Sequence, residues 1–198
     1  MSFSSKWLIF LLSIVAAFGA DKDKFDPGPV TSLAGRQTIG KVTIGAREFD
    51  TEELARTVFG KLNPNKYGVL PVLVVMQNDG DKTLSLDRIH FQYLVPGRDE
   101  IDATPATDVK YIGGASKPRT GPSPLPIPRG KKKSPLTAWE IEGRALAARM
   151  LPPGQSASGF VYFQAASLQG AKLYVTGIRD AGSGQELFYF EIPLDGGK

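Results

Sequence analysis

YGVLPVLVVMQNDGDKTLSLDRIHFQYL, residues 67–94, decides how the chain is read. Val72 to Met76 is an unbroken apolar run that ends at Gln77. A short run of this kind, bounded by turn residues, is a strand covered on both faces or a core strand of a sandwich. Pro71 cannot donate to a ladder, so it places the start of this strand at an edge or before pairing begins. Asn78-Asp79-Gly80-Asp81 is a turn, and Asp79-Gly80 favours the geometry of a tight hairpin. Leu84 and Leu86 then alternate with polar residues, and Ile89, Phe91 and Tyr93 alternate in the opposite phase. The change of phase at Asp87-Arg88 predicts a bulge or bend.

Outward from this core, RQTIGKVTIGAREF (36–49) reads as a first strand with glycine bends, because Val42 and Ile44 alternate with polar neighbours. FDTEELARTVFGKLNPN follows. Asp50 suits an N-cap with Glu53 as its capping-box partner, and Phe49 and Leu54 fit a hydrophobic staple. Leu54, Val58 and Leu62 lie along one helical face, and Gly60 or Asn63-Pro64 ends the helix. A short strand is expected around Val109 to Ile112. LTAWEIEGRALAARM (136–150) predicts a second helix, with Trp139, Leu146 and Met150 on one face and Gly143 as its weak point. SASGFVYFQ, AKLYVTGI and QELFYFEIP read as closing strands, the last two joined by an AGSG loop. About seven short strands interrupted by two helices, with no βαβ alternation and no internal repeat, predict a mainly β fold: an immunoglobulin-like antiparallel β-sandwich.

The 198 residues suit one domain, and 22 glycines with 15 prolines argue for many turns over a helical bundle. Residues 1–19 have the form of a secretory signal peptide: Lys6, then an apolar run from Trp7 to Phe18, with Ala17 and Gly19 placed for cleavage after Gly19. An uncleaved membrane anchor is the alternative, but the run is short against the roughly 20 residues of a span. The expected destination is the periplasm or the exterior. Residues 20–35 read as a flexible lead-in, and 36–194 as the single sandwich domain. Without cysteine the fold has neither a disulfide nor a thiolate metal site, so its core must hold it.

The formal net charge of +4 is local in origin. KPRTGPSPLPIPRGKKKSP (117–135) carries Lys117, Arg119, Arg129, Lys131, Lys132 and Lys133 and no acid. Pro124, Pro126 and Pro128 give it a stiff, extended character with little ordering cost on binding. This Pro-rich basic loop is the leading interaction candidate, suited to an envelope protein, an anionic lipid or an anionic polymer. The competing reading is a solvated spacer. Nucleic acid is the weakest partner class, because no aromatics are interleaved with the basic run.

Elsewhere the chemistry is sparse, and no catalytic residue, cofactor or metal ligand is assigned. Asn78, Asp79 and Asp81 could supply oxygen ligands to calcium, but they lack the spacing and terminal glutamate of a calcium loop, and the turn reading is preferred. His90 is the sole histidine, and its alternation with Ile89 and Phe91 turns it away from their face. Glu140 and Glu142, like Glu52 and Glu53, are explained by the field of a helix N-terminus. Seven aromatics crowd the last strands, and Tyr162, Tyr174 and Tyr189 could form an exposed row for sugar stacking.

YGVLPVLVVMQNDGDKTLSLD, LPPGQSASGFVYF and ELFYFEIPL together resemble exported bacterial immunoglobulin-like accessory domains over residues 36–194. The resemblance implies a scaffold or binding module and carries over no catalytic residue. Three functions therefore stand: a non-enzymatic envelope binding or structural module, a carbohydrate-binding module using exposed aromatics, and a hydrolase of a cell-surface polymer. The last needs two carboxylates from distant segments to converge, roughly 5–9.5 Å apart.

Overall fold

A computed structural model describes residues 25–112, 134–187 and 189–194. The expected signal peptide and the basic residues Lys117, Arg119, Arg129 and Lys131 to Lys133, with Pro124, Pro126 and Pro128, lie outside the described residues.

The chain is mainly β, with three antiparallel sheets and a few short helices. The strands are β1 (Gly35–Ile39), β2 (Val42–Glu48), β3 (Leu70–Asn78), β4 (Leu84–Ser85), β5 (His90–Leu94), β6 (Ile101–Asp102), β7 (Met150–Leu151), β8 (Ser156–Phe163), β9 (Lys172–Thr176), β10 (Arg179–Asp180) and β11 (Phe190–Pro193). The α-helices are α1 (Glu52–Phe59), α2 (Ala106–Val109) and α3 (Trp139–Gly143). The first sheet runs β1-β2-β3-β8, the second β11-β9-β5-β6, and a small third sheet runs β10-β4-β7.

The apolar run of β3 is explained by what lies on its two sides. Leu70, Val72, Val74 and Met76 face the second sheet, where they meet Phe91, Tyr93, Leu173, Val175, Phe190 and Ile192. Leu73 and Val75 face the other way, into a second core built by Val30, Leu33, Ala55, Val58, Phe59, Leu136 and Ile141. The fold is thus a sandwich with a helical layer on one sheet. Burying each such side chain is worth about 1.5–3 kcal/mol, which is why both faces of β3 are apolar from Leu70 to Met76.

The second core absorbs the expected lead-in. Val30 and Leu33 are buried, and Phe25 packs 5.6 Å from Phe160 and 5.9 Å from Phe49 between ring centroids. Gly45 makes room for this segment, since a Cβ there would come within 2.9 Å of Leu33. The folded body therefore includes Phe25 onward, ahead of the expected boundary at 36.

Several expected elements differ. The stretch 36–49 is a hairpin of two strands, turning at Gly40 (φ 59°). The cap of α1 is Thr51, whose Oγ1 accepts from the Leu54 amide at 3.2 Å, and not Asp50. Phe49 is still bonded to Pro71 across the sheet, so the helix can begin only after Asp50. Gly60 (φ 61°) ends it. Residues 78–81 do not close a hairpin: β3 pairs with β2 and β8, whereas β4 pairs with β10 and β7. The turn carries the chain from one sheet to another. The phase change at Asp87-Arg88 marks a second such transfer, a turn between β4 and β5.

Val109 belongs to α2 rather than to a strand. The second predicted helix shrinks to α3, because the chain beyond Gly143 bonds to β8: Phe160 N donates to Arg144 O at 2.8 Å and Leu146 N to Phe160 O at 3.0 Å. Gly159 admits this contact, since a Cβ there would lie 2.4 Å from Leu146 Cα. Trp139, Leu146 and Met150 share no helical face, and Trp139 and Met150 are exposed.

Both long sheets are closed at their edges. At one side Thr104 N, just past β6, donates to Tyr162 O of β8 at 2.7 Å. At the other, β1 meets β11: the Glu191 amide donates to Gln37 Oε1 at 2.6 Å, and a Cβ on Gly35 would sit 2.0 Å from Pro193 O. The sandwich is therefore barrel-like, its first and last strands touching through a side chain and not through a backbone ladder.

Candidate functional site

The three proposed tyrosines do not form one row. Tyr162 is buried in the second core at 1% exposure, and its hydroxyl donates to Ile141 O at 2.7 Å. Burial holds its pKa well above the ordinary phenol value. Its position in β8 fixes this outcome, because the outer face of that sheet lies under helices and offers no solvent-facing side at Tyr162.

Tyr174 and Tyr189 do come together. They stack on the outer face of the second sheet with centroids 5.2 Å apart and a 39° tilt. Strand pairing extends this face: Tyr174 lies opposite Glu191 on one side and Gln92 on the other, and Gln92 lies opposite Asp102. Asp102 Oδ1 accepts from Gln92 Nε2 at 3.0 Å and contacts His90 Nε2 at 3.1 Å. The Gln92 hydrogen bond, then His90, holds the Asp102 carboxyl below its ordinary value. Lys172 Nζ meets Glu191 Oε2 at 3.0 Å. His90 is exposed while Phe91 is buried, as its place in the alternation predicts.

An open cleft of about 560 Å³ lies at the opposite kind of place, among loops, lined by Asp50, Asn65, Gly68 and Gln164 to Ser167. Asp50 is the carboxylate among these lining residues. Behind Ser167 sits Glu48, a buried acid at 5% exposure that sequence reading passed over. Glu48 Oε1 accepts from Tyr93 OH at 2.9 Å and Oε2 accepts from Ser167 Oγ, and Tyr93 OH also receives the Leu168 amide at 3.0 Å. The signal was present: Val42, Ile44 and Ala46 are the inward residues of β2, and Glu48 continues their phase. The network clamps the 166–168 loop to the barrel.

The other candidates have structural partners. Asn78 is 1% exposed; its Nδ2 donates to Lys82 O (2.8 Å) and Leu151 O (3.0 Å), and its Oδ1 accepts from Gly80 N (3.0 Å). Asp79 Oδ1 accepts from Gln77 Nε2. Glu142 lies 3.6 Å from Lys110, and Glu52 bonds Arg56 and Lys66, each at 3.0 Å. Among the described residues no group of three or more His, Cys, Asp or Glu side chains is arranged to hold a metal ion. Among them, too, no helix is long and apolar enough to cross a membrane.

No family model and no curated protein matches the chain. Among solved structures it is similar to a secreted protein of Mycobacterium tuberculosis, MPT63, at 10% identity and a TM-score of 0.33, covering 83% of this chain and 95% of that one. It is also similar to a functionally unknown protein from Listeria monocytogenes EGD-e, at 11% identity and a TM-score of 0.35, covering 80% of each chain.

Proposed function

We propose that the protein is an exported, immunoglobulin-like binding module of the cell envelope that works without catalysis, its barrel serving as the rigid part and the basic segment Lys117–Lys133 as a contact for an acidic envelope surface. One observation carries the reading. Val109 and Leu136 flank the segment in the sequence, and both of these side chains are fully buried in the same core. The described chain on either side of this acid-free run of six cations is thus anchored in one core. Fixed ends reduce the ordering cost of binding, and clustered charge attracts an acidic surface over about a Debye length.

The experiment compares the exported protein with a K131A/K132A/K133A variant in envelope pull-downs and in co-sedimentation with anionic vesicles, at low and at physiological salt. The expected result is loss of retention in the variant and weakening of wild-type retention by salt. Equal retention of both proteins rejects the segment as the contact, and fractionation with the cytosol rejects the envelope reading.

A further inference from the structure

We infer that the outer face of the second sheet is a binding platform for a neutral oligosaccharide, centred on the Tyr174–Tyr189 ring pair. The inference rests on the binding-module reading and supplies its ligand class at a place other than the basic segment.

The aromatic pair comes first. Tyr189 is 52% exposed, although its neighbour Phe190 is fully buried. The Tyr189 ring, just ahead of β11, touches the partly buried ring of Tyr174 on β9 and leaves about half of its own surface to solvent. A pyranose ring carries an apolar face of C–H bonds, and an exposed tyrosine receives it with its π-face while the hydroxyl remains wet.

The polar surroundings select against charge. The lysine beside the rings, Lys172, pairs with Glu191, and the Asp102 carboxylate is held by Gln92 and His90. Among the described residues this leaves no cation beside the rings to attract an anionic polymer, and the second carboxylate is already engaged by its neighbours. The platform offers instead hydrogen-bonding groups in register beside the rings, Gln92 directly opposite Tyr174 and Glu191 on its other side. Amides and carboxylates flanking an aromatic surface match the hydroxyls of a neutral sugar.

The topology disfavours the obvious rival. An extended peptide binds a sheet by adding a strand to an open edge. Here β1 packs against β11, and the chain just beyond β6 bonds to β8, so neighbouring strands crowd these edges while the face carries the rings. Adjacent strands lie about 4.8 Å apart. Tyr189 (just before β11), Tyr174 (β9) and Gln92 (β5) therefore span about the length of two sugar units.

Isothermal titration calorimetry of the purified mature chain with cellohexaose, xylohexaose, maltohexaose and chitohexaose tests the platform. Binding of at least one is expected, weakened about tenfold or more by Tyr189→Ala and by Tyr174→Ala, and retained by Tyr189→Phe. Gln92→Ala gives a second route if either alanine variant loses its thermal transition. Failure of all four sugars to bind, or unchanged affinity in the folded variants, overturns the inference. Because the assay uses purified protein and sugar alone, that failure leaves the vesicle and envelope results untouched, and the reverse also holds.

Discussion

Asn65 Nδ2 donates to the carbonyl oxygen of Phe49 at 2.8 Å, standing in for a hydrogen bond that Pro71 cannot make. Phe49 N donates to Pro71 O at 2.9 Å, as in an exchanged antiparallel pair. The reciprocal donor would be the Pro71 amide, which does not exist. Pro71 can therefore sit inside the ladder of a central strand, because a side chain from the preceding 3₁₀ turn, Pro64–Tyr67, completes it.

Replacing Asn65 with alanine is expected to cost about 1–2 kcal/mol, the range for a carbonyl left without its donor. Asn65→Asp should cost at least as much, since a carboxylate cannot donate. In a Pro71→Ala background the new backbone N–H serves the same carbonyl, so the cost of Asn65→Ala should shrink. Urea unfolding of the four proteins of that cycle measures the coupling, and equal costs in both backgrounds would show that the two residues act independently.

Asn78 joins three segments through one buried amide. Its side chain satisfies Lys82 O, Leu151 O and the Gly80 amide, while its own carbonyl accepts from Gly154 N at 2.7 Å. Asn78→Ala is expected to destabilise by about 2–4 kcal/mol, because more than one polar group loses its partner. Asn78→Asp should be worse at neutral pH, where it sets a carboxylate against two carbonyls. Denaturant midpoints rank the variants.

Gly159→Ala should detach the 144–146 segment from β8, because the new methyl meets the Leu146 backbone, which has no flexible end to move. A loss of about 1–3 kcal/mol is expected, the usual range for overpacking. Hydrogen exchange provides the specific readout: the Leu146 and Phe160 amides should lose protection while β9 retains it.

Asp180 gives the fold an acid limb. Lys82 Nζ lies 2.8 Å from its carboxylate, and the Ser183 and Gly182 amides donate to it at 3.0 and 2.8 Å. These contacts, with Lys82 foremost, hold its pKa down to about 2, against an ordinary 3.8. A depressed carboxylate means that the unfolded chain binds the proton more readily, so stability falls with pH in this window. The Asp180 contribution is complete above about pH 4 and is lost on descent to about pH 2. Asn can still accept the two turn amides, so Asp180→Asn isolates the charge. The stability difference between wild type and this variant should narrow across that window, and a difference that is flat in pH would assign it to the turn alone.

How much of this was legible in the sequence depended on the range of the interaction. β3, β8, β9 and β11 are readable because apolar alternation and turn residues are local. The strand at Val109 and the long second helix misread local propensity where a distant partner decides: Val109 fills the second core, and residues 144–146 bond to β8. The 78–81 turn was identified, but a turn does not say whether the strands beside it pair or part. Tyr162 and Tyr174 have equal claims to exposure as sequence. They separate only because helices cover the first sheet and leave the second bare. Glu48 was legible by phase yet carries no motif, since Tyr93 and Ser167 reach it from far along the chain.

The seam between Gly35 and Pro193 also sets an order of events. Synthesis proceeds from the amino end, so β1 is delivered long before the strand it must lie against. The barrel cannot shut until Phe190 to Pro193 have arrived, and until then one flank of the first sheet stays unguarded. Completion of this fold therefore waits on β11, and a chain that stopped short of that strand would be left open along β1.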